Sequence, residues 1–385
     1  METNSGTIAE WTSSDEGNFM QLFIAHGFSV HGFLMGCQPI ISINSSNLSG
    51  PHKGALFSAL AYDADDDMFP LAYAIVSLEN YYNWFWFLHR LKQLVGEMEV
   101  VIISGRHHAI IRSVAEVLGV ENHAYCYRHL KEDFSHQLMM GREGKDNALK
   151  LLDAVAYARL EIGYNSAMEN LRRFDANLAK WVEDNNPEHW AMSKFPKKRW
   201  DKMNTNIFGS ISAWVKEEQH HTIFSFIEKH MDMLASLLVE RKTTMQSWER
   251  SIGPKTEDKL LHNIAKNETF SDGKAKISVD LRQHTCTCLA WQMSGIPCEH
   301  ACAMIQKMNQ DVYEFVDDWY HLFKQEMVYS GTLHPLEFQN LPIVHSDGNV
   351  HDPNGYVHVS LDPPVTKHCL GRPRRQRIRP NLENR

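Results

Sequence analysis

Three cysteines and one histidine lie in two close pairs near residue 290, a spacing that is typical of a bound metal ion. One residue separates Cys286 from Cys288, and one separates Cys298 from His300. Nine residues separate the two pairs. Structural Zn²⁺ takes four thiolate or imidazole ligands at tetrahedral corners, and three cysteines with one histidine complete that shell. The sequence therefore predicts a closed structural zinc site.

Cysteine usage favours metal over disulfides. Four of the seven cysteines lie between Cys286 and Cys302, and an odd total with metal spacing indicates a reducing compartment. His284 and Cys302 are nearby residues that could in principle replace one of the four ligands. The alternative to a metal site is a group of buried free cysteines beside a strand.

The residues around the two pairs predict a small ββα unit. Residues 275–281 alternate as a half-buried strand does, Gly295 and Pro297 mark a turn, and a helix is expected from Cys298 to Met308. The Cys-x-Cys-x₉-Cys-x-His spacing resembles the SWIM zinc finger, a module of nucleic-acid-linked and transposase-derived proteins. The resemblance covers residues 271–310 and implies structural Zn²⁺.

Upstream of this module the pattern is mixed α/β. Three apolar runs, at residues 39–44, 55–62 and 69–76, are separated by short polar connectors, which predicts an antiparallel meander. A helix follows with Trp84, Phe87 and Leu91 at helical spacing and Asn83 as its expected cap. Residues 100–104 then form an apolar strand of the kind buried on both faces. This order of elements is ribonuclease-H-like.

The remaining segments complete a domain map. A helical insertion is expected at about 140–195, inside a core that spans residues 21–250. We expect a disordered leader at residues 1–20, a linker at 251–270 marked by Gly253 and Pro254, and a helical extension at 311–339. Residues 340–385 are rich in Pro, His, Gly and Asp and are expected to be disordered.

Several segments resemble the core of Mutator-like element (MULE) transposases, in the order and spacing of that family. They are Pro-Ile-Ile-Ser-Ile at 39–43, Phe-Pro-Leu-Ala-Tyr-Ala-Ile-Val at 69–76, Trp-Phe-Trp-Phe-Leu at 84–88, Ile-Ile-Ser at 102–104 followed by Arg-His at 106–107, Tyr-Cys-Tyr-Arg-His-Leu at 125–130, and Thr-Asn-Ile at 205–207. The resemblance implies a ribonuclease-H-like transposase core with a helical insertion, followed by the SWIM module and a disordered basic tail.

Such transposases cut and join DNA with three carboxylates that hold two divalent ions. Mg²⁺ is a hard ion that requires anionic oxygen, so these acids are essential to the reaction. The resemblance places the three positions at Asn44, Gly105 and Gly209, and none of them is an acid. We therefore expect no strand-transfer activity and no catalytic residue.

Two other groups of residues leave alternatives open. Asp63, Asp65, Asp66 and Asp67 could replace the lost carboxylates, although a solvated acidic turn is the expectation for such a run. Cys126 and His129 repeat a Cys-x-x-His motif of the family. They could hold a second metal with His123 or His136, or they could be packing residues.

The charge of the chain is uneven. The net charge is −8, which argues against a globally basic surface for nucleic acid, yet residues 372–385 carry six arginines and one glutamate. The Gly-Arg-Pro-Arg-Arg segment at 371–375 resembles an AT-hook, which lies in the minor groove of A·T-rich DNA. The expected nucleic-acid contacts are Arg372, Arg374, Arg375, Arg377 and Arg379. A nuclear-import signal or a nonspecific phosphate-binding tail is the other interpretation.

These features together predict a catalytically inactive, transposase-derived zinc-finger protein of the nucleus, associated with DNA and regulating transcription or chromatin. We expect DNA as a partner and protein partners in addition, and no membrane, because no run approaches eighteen apolar residues. An unconventional transposase, a zinc-dependent protein-interaction module without DNA binding, and a decayed element without function are the alternatives. Family members often carry a DNA-binding domain ahead of the core, where only about twenty residues precede it here.

Overall fold

The computed structural model describes residues 4–48, 54–139, 141–205, 223–267, 277–335, 343–345, 349–351 and 355–359. A seven-stranded sheet forms the centre of the molecule. Its strands are β1 (Ile8–Ser13), β2 (Phe19–Ala25), β3 (Ile40–Leu48), β4 (Gly54–Tyr62), β5 (Met68–Val76), β6 (Val101–Ser104) and β7 (His123–Tyr125). The helices beside it are α1 (Gly27–Gly36), α2 (Tyr81–Val95) and α3 (His108–Val117).

The strand order across the sheet is β1-β2-β5-β4-β3-β6-β7. The meander from β3 to β5 is antiparallel, as expected, whereas β6 pairs in parallel with β3 and β7 in parallel with β6. In the β3–β6 pair, Ser42 lies opposite Ile103. Both strands run in the same direction, and β6 ends one residue beyond this pair, whereas β3 continues to Leu48 in its pairing with β4.

The beginning of the chain requires a correction. Residues 8–13 form strand β1, which pairs with β2 in an antiparallel register, instead of belonging to a disordered leader. The strand lies at the edge of the sheet and buries little apolar surface, and Trp11 is 58 % exposed. Its sequence consequently lacks the strong alternation that identifies a half-buried strand.

Helix α2 buries its aromatic face against the sheet. Trp84 stacks on Phe57 of β4 with ring centroids 3.8 Å apart, and Phe87 packs against the same ring. The cap of this helix is Asn80, three residues before the expected Asn83. The side chain of Asn80 accepts the hydrogen bond from the backbone N–H of Asn83. The aromatic residues of this helix belong to the core.

A helical region follows β7, in agreement with the expected insertion. It consists of α4 (Tyr127–His136), α5 (Arg142–Tyr157), α6 (Glu161–Phe174) and α7 (Ala176–Asp184). These helices enclose an apolar cluster of their own, which includes Leu130, Leu152 and Leu171. Arg106, in the turn after β6, donates to Asn185 and forms an ion pair with Asp133, so the insertion is fastened to the sheet.

The long helical pattern expected from residue 207 is described only from residue 223 onward, as α8 (Ile223–Met245). The segment expected to be a linker contains α9 (Pro254–Asn267) instead. Gly253 and Pro254 predict a break, but proline at the first helical position has a favourable φ and lacks only an N–H that would be unpaired there anyway. This proline therefore begins a helix.

The rest of the described chain contains the expected zinc-binding region and its extension. Its elements are β8 (Val279–Asp280), β9 (Thr285–Cys286), α10 (Ala290–Ser294), α11 (Glu299–Lys307) and α12 (Leu322–Val328). In the segment expected to be disordered, β10 (Ile343–Val344), β11 (Asn349–His351) and β12 (Val357–Val359) form a small antiparallel sheet. Within the described ranges, no helix is both long enough and apolar enough to span a bilayer.

Candidate metal centre

The side chains of Cys286, Cys288, Cys298 and His300 converge on one point. Their potential ligand atoms all lie within 4.8 Å of one another. The sulfur of Cys288 is 3.5 Å from that of Cys298, and Nδ1 of His300 is 3.9 Å from the sulfurs of both Cys286 and Cys298. A tetrahedral Zn²⁺ with bonds of about 2.3 Å to sulfur separates its sulfur ligands by about 3.8 Å. The four side chains therefore fit a zinc ion.

Local backbone structure positions each ligand. Cys286 ends β9, and Cys298 and His300 lie at the start of α11, so the two pairs come from a strand end and a helix start. The side-chain amide of Gln292 accepts from the backbone N–H of Cys286 and donates to its carbonyl oxygen. Leu289 adopts a left-handed conformation with φ of 62°, which turns the chain from the first pair into α10. Sequence reasoning did not identify Gln292, whose role depends on its spatial position.

The close approach of the thiols changes their pKa values. The hydrogen bond between the sulfurs of Cys288 and Cys298 lowers the pKa of Cys288 to about 5. The same hydrogen bond, together with burial, raises the pKa of Cys298. One thiolate is thus already stabilised, and a zinc ion would supply the positive charge needed to ionise the others.

Two nearby residues that could have been ligands are placed elsewhere. His284 stacks on Trp291, with ring centroids 5.0 Å apart, and Cys302 donates to the carbonyl oxygen of Pro297. Among the described residues, the four side chains above are the only group of three or more that could hold a metal ion. The residues that could have replaced a ligand are therefore packing residues.

The region around the candidate metal centre is packed against the sheet. Cys286, Trp291 and Cys298 share an apolar cluster with Ile40 and Ile103 of the sheet. Lys198, which precedes the region in sequence, forms an ion pair with Asp317. The metal centre and the sheet consequently share one core instead of forming separate bodies.

Comparison with known families agrees with this geometry. One family model, a MULE transposase domain, matches residues 40–133, and another, a SWIM zinc finger, matches residues 271–309. The chain combines a MULE transposase domain with a SWIM zinc finger. No curated protein matches it significantly. The MULE match contains strands β3 to β7, and the SWIM match contains all four candidate zinc ligands.

Two of the three expected carboxylate positions of the MULE domain can be located. Asn44 and Gly105 each lie two residues beyond the paired Ser42 and Ile103, which places Gly105 at the carboxyl edge of β6 and Asn44 beside it, within β3. A Cβ atom built on Gly105 would have as its nearest neighbour Nδ1 of His129, at 3.6 Å. A Cβ atom there would make an ordinary van der Waals contact with the imidazole of His129. Gly209 lies outside the described residues.

Cys126 and His129 lie beside this edge, at the start of α4. The sulfur of Cys126 accepts hydrogen bonds from the backbone and the hydroxyl of Thr205 at 3.3 and 3.4 Å. Burial raises the pKa of Cys126, but hydrogen bonds from the His129 side chain and from Thr205 outweigh it and lower the value to about 6. Neither His123 nor His136 joins them, since His123 bonds Ser104 at 2.7 Å and no third ligand is present among the described side chains.

The acidic loop, residues 63–67, contradicts the expectation of a solvated turn. Asp63 is fully buried, and its carboxylate accepts from two backbone N–H groups, from Gln325 and from the hydroxyl of Tyr329. Burial, and then the charge of Asp67, raise the pKa of Asp63. Sequence reasoning missed this burial because the side chains that bond Asp63, those of Gln325 and Tyr329, lie more than 200 residues farther along the chain. The five arginines of the basic tail lie outside the described residues.

Proposed function

We propose that the chain is a catalytically silent, transposase-derived protein of the nucleus that associates with DNA and regulates transcription or chromatin. Its core would be ribonuclease-H-like, since β5, β4 and β3 form an antiparallel meander and β6 and β7 continue the sheet in parallel with β3. The SWIM finger, with a structural zinc, would be a ββα-type module fixed to that core.

The observation that carries the proposal is the pair formed by Asn44, within β3, and Gly105, at the carboxyl edge of β6. Two-metal DNA cleavage needs anionic oxygens that neutralise about four positive charges. Asn44 offers a neutral amide oxygen, and Gly105 has no side chain. Two divalent ions at this edge would therefore lack the anionic ligands that hold them.

The acidic loop does not provide substitutes. Asn44 pairs with Ser58 in β4, and Asp63 follows five residues later, about 17 Å farther along the strand direction. The four carboxylates of the loop are engaged by hydrogen-bond donors and cations of this chain, among them Lys202 and Arg241. A metal would have to displace these partners.

DNA contact is assigned to the basic tail. Between residues 277 and 335, the zinc finger and its extension carry seven acidic side chains and three lysines or arginines. Such a segment repels phosphate, whereas the arginines at 372–379 attract it. The tail would also serve as the nuclear-import signal.

Protein interaction through the zinc finger is the second candidate function, favoured by the same acidic balance. A fluorescence-anisotropy titration of an A·T-rich duplex separates the two. The proposed function requires binding that is lost when Arg372, Arg374, Arg375, Arg377 and Arg379 are replaced by Gln and that survives Cys298→Ser. Absence of binding at low salt in the unmodified chain would favour a protein-interaction module, and metal-dependent nicking of the duplex would establish a transposase with residual activity.

A further inference from the structure

The acidic loop contacts three helices that follow it by more than 150 residues. Asp65 Oδ1 accepts from the backbone N–H of Lys255 at 2.8 Å, Asp66 forms ion pairs with Lys202 and Lys259, and Asp67 forms ion pairs with Lys255 and Arg241. These partners lie on α8 and α9, apart from Lys202. Gln325 of α12 and Tyr329, just after α12, bond Asp63. The loop is therefore a junction between the sheet and the C-terminal half of the described chain.

Helix α9 joins this junction to the metal centre. Lys255, Lys259 and Asn263 are spaced by four residues and so share one face of the helix. Lys255 and Lys259 hold the acidic loop, and the side-chain amide of Asn263 donates to the carbonyl oxygen of Pro297 at 2.9 Å. Pro297 immediately precedes the ligand Cys298.

Close packing reinforces these polar contacts. A Cβ atom on Gly253, just before α9, would lie 2.5 Å from Oδ1 of Asp65, so the helix approaches the loop as closely as glycine permits. Leu260 of α9 is fully buried in the same cluster as Cys286 and Tyr62. A movement of α9 relative to the acidic loop therefore also changes its contacts with the metal centre.

We propose that zinc occupancy and ordering of the acidic loop are thermodynamically coupled through α9, which makes the finger a metal-dependent clamp on the sheet. The inference rests on the proposed zinc occupancy. Zinc binding would fix Pro297 and Asn263 and hold α9 against the acidic loop. The loop that connects β4 and β5 would thereby be ordered. Because such coupling is reciprocal, weakening the contacts between α9 and the loop lowers the affinity for zinc by the same factor.

Hydrogen exchange of the full chain, with zinc and after chelation, tests the first half of the proposal. Amides of residues 63–67 are expected to exchange at least tenfold faster without zinc, while those of α5 and α6 keep their rates. In Asn263→Ala, the response of the loop to zinc should be reduced or lost. Equal loop exchange with and without zinc in the unmodified chain would overturn the coupling, while leaving zinc binding and the proposed function intact.

Zinc affinity, measured by competition with a chromophoric chelator, tests the reciprocal half. Lys259→Gln removes one cation from Asp66 at a partly exposed position and is expected to weaken zinc binding about fivefold, at the lower end of typical couplings. Lys180→Gln, an exposed change on α7, is the matched control and should have no effect. Equal affinities of the two variants would contradict the proposal. A chain that binds no zinc would refute both this inference and the assigned metal centre.

Discussion

The hydroxyl of Tyr329 donates a hydrogen bond of 2.9 Å to the carboxylate of Asp63, 266 residues earlier in the chain. Both side chains are almost completely buried. This contact fixes the loop between β4 and β5 to the end of α12, and it shows that the acidic run is part of the folded core. Its consequence for stability can be measured directly.

Asp63→Ala is expected to lower the free energy of unfolding by about 3 kcal/mol or more, because it leaves four buried donors without an acceptor. Asp63→Asn keeps an oxygen for the two backbone N–H groups and should cost roughly half as much. Urea denaturation monitored by tryptophan fluorescence compares the variants. An unchanged midpoint in Asp63→Ala would show that the loop is solvated after all.

The structure predicts acid sensitivity from buried histidines. Burial lowers the pKa of His26 to about 4, and burial together with the neighbouring His189 lowers that of His123 to about 3. The unfolded chain takes up these protons near pH 6.5, so the stabilisation is complete above pH 6.5 and is lost as the pH falls toward 4. The loss should be at least about 3 kcal/mol for the two together. A urea midpoint that stays constant from pH 7 to pH 4.5 would contradict this.

Asp65 has the opposite effect on the pH dependence of stability. Burial raises its pKa to about 6, against a hydrogen bond from Lys255, so its contribution is present below pH 3.8 and is lost as the pH rises through 6. Asp65→Asn keeps the acceptor for the backbone of Lys255 and removes the titration. This variant should lose more stability than the unmodified chain between pH 7.5 and pH 4, in the same urea experiment. Parallel pH profiles would show that Asp65 titrates normally.

The four converging ligands should bind one zinc ion per chain. Cys298→Ser is expected to abolish stoichiometric zinc, measured by elemental analysis, and to unfold the finger, since structural zinc in small fingers contributes about 10–16 kcal/mol. His284→Asn is the matched control, because it changes a nearby metal-capable residue outside the ligand set and tolerates the left-handed backbone at that position. Equal zinc content in both variants would mean that the ligand set is different.

The basic tail makes DNA binding dependent on salt in a defined way. If the five arginines each neutralise one phosphate, the slope of log binding constant against log salt should be about −4 to −5. Replacing Arg372 and Arg374 with Gln should reduce the magnitude of that slope by about two. Anisotropy titrations at several salt concentrations give the slope, and a value near zero would exclude phosphate contact by the tail.

Strong local patterns were sufficient to predict the centre of the fold. The apolar runs of β3, β4, β5 and β6 and the aromatic stripe of α2 are found at the expected positions. Each of these elements buries a complete face, so its periodicity is visible in the sequence. The metal cluster was predictable for a similar reason, because its four ligands occupy a fifteen-residue span with fixed spacing.

The misassigned segments depend on contacts distant in sequence. Strand β1 is an exposed edge whose strand pairing is with β2, and α9 begins at Pro254, a residue type that is found both at breaks and at helix starts. The burial of Asp63 requires Gln325 and Tyr329, whose positions follow from the tertiary fold. No local pattern distinguishes such a loop from a solvated one.

Divalent-metal binding at Asn44 and Gly105, where β6 ends beside β3, tests the central claim most directly. Titration of Mn²⁺ into the zinc-loaded chain, followed by electron paramagnetic resonance, should show no specific site in the unmodified protein. The double variant Asn44→Asp with Gly105→Asp should gain one, since two adjacent carboxylates then face the same point. Tight Mn²⁺ binding by the unmodified chain, lost in Asn44→Ala, would contradict the account that this fold has lost its catalytic metals.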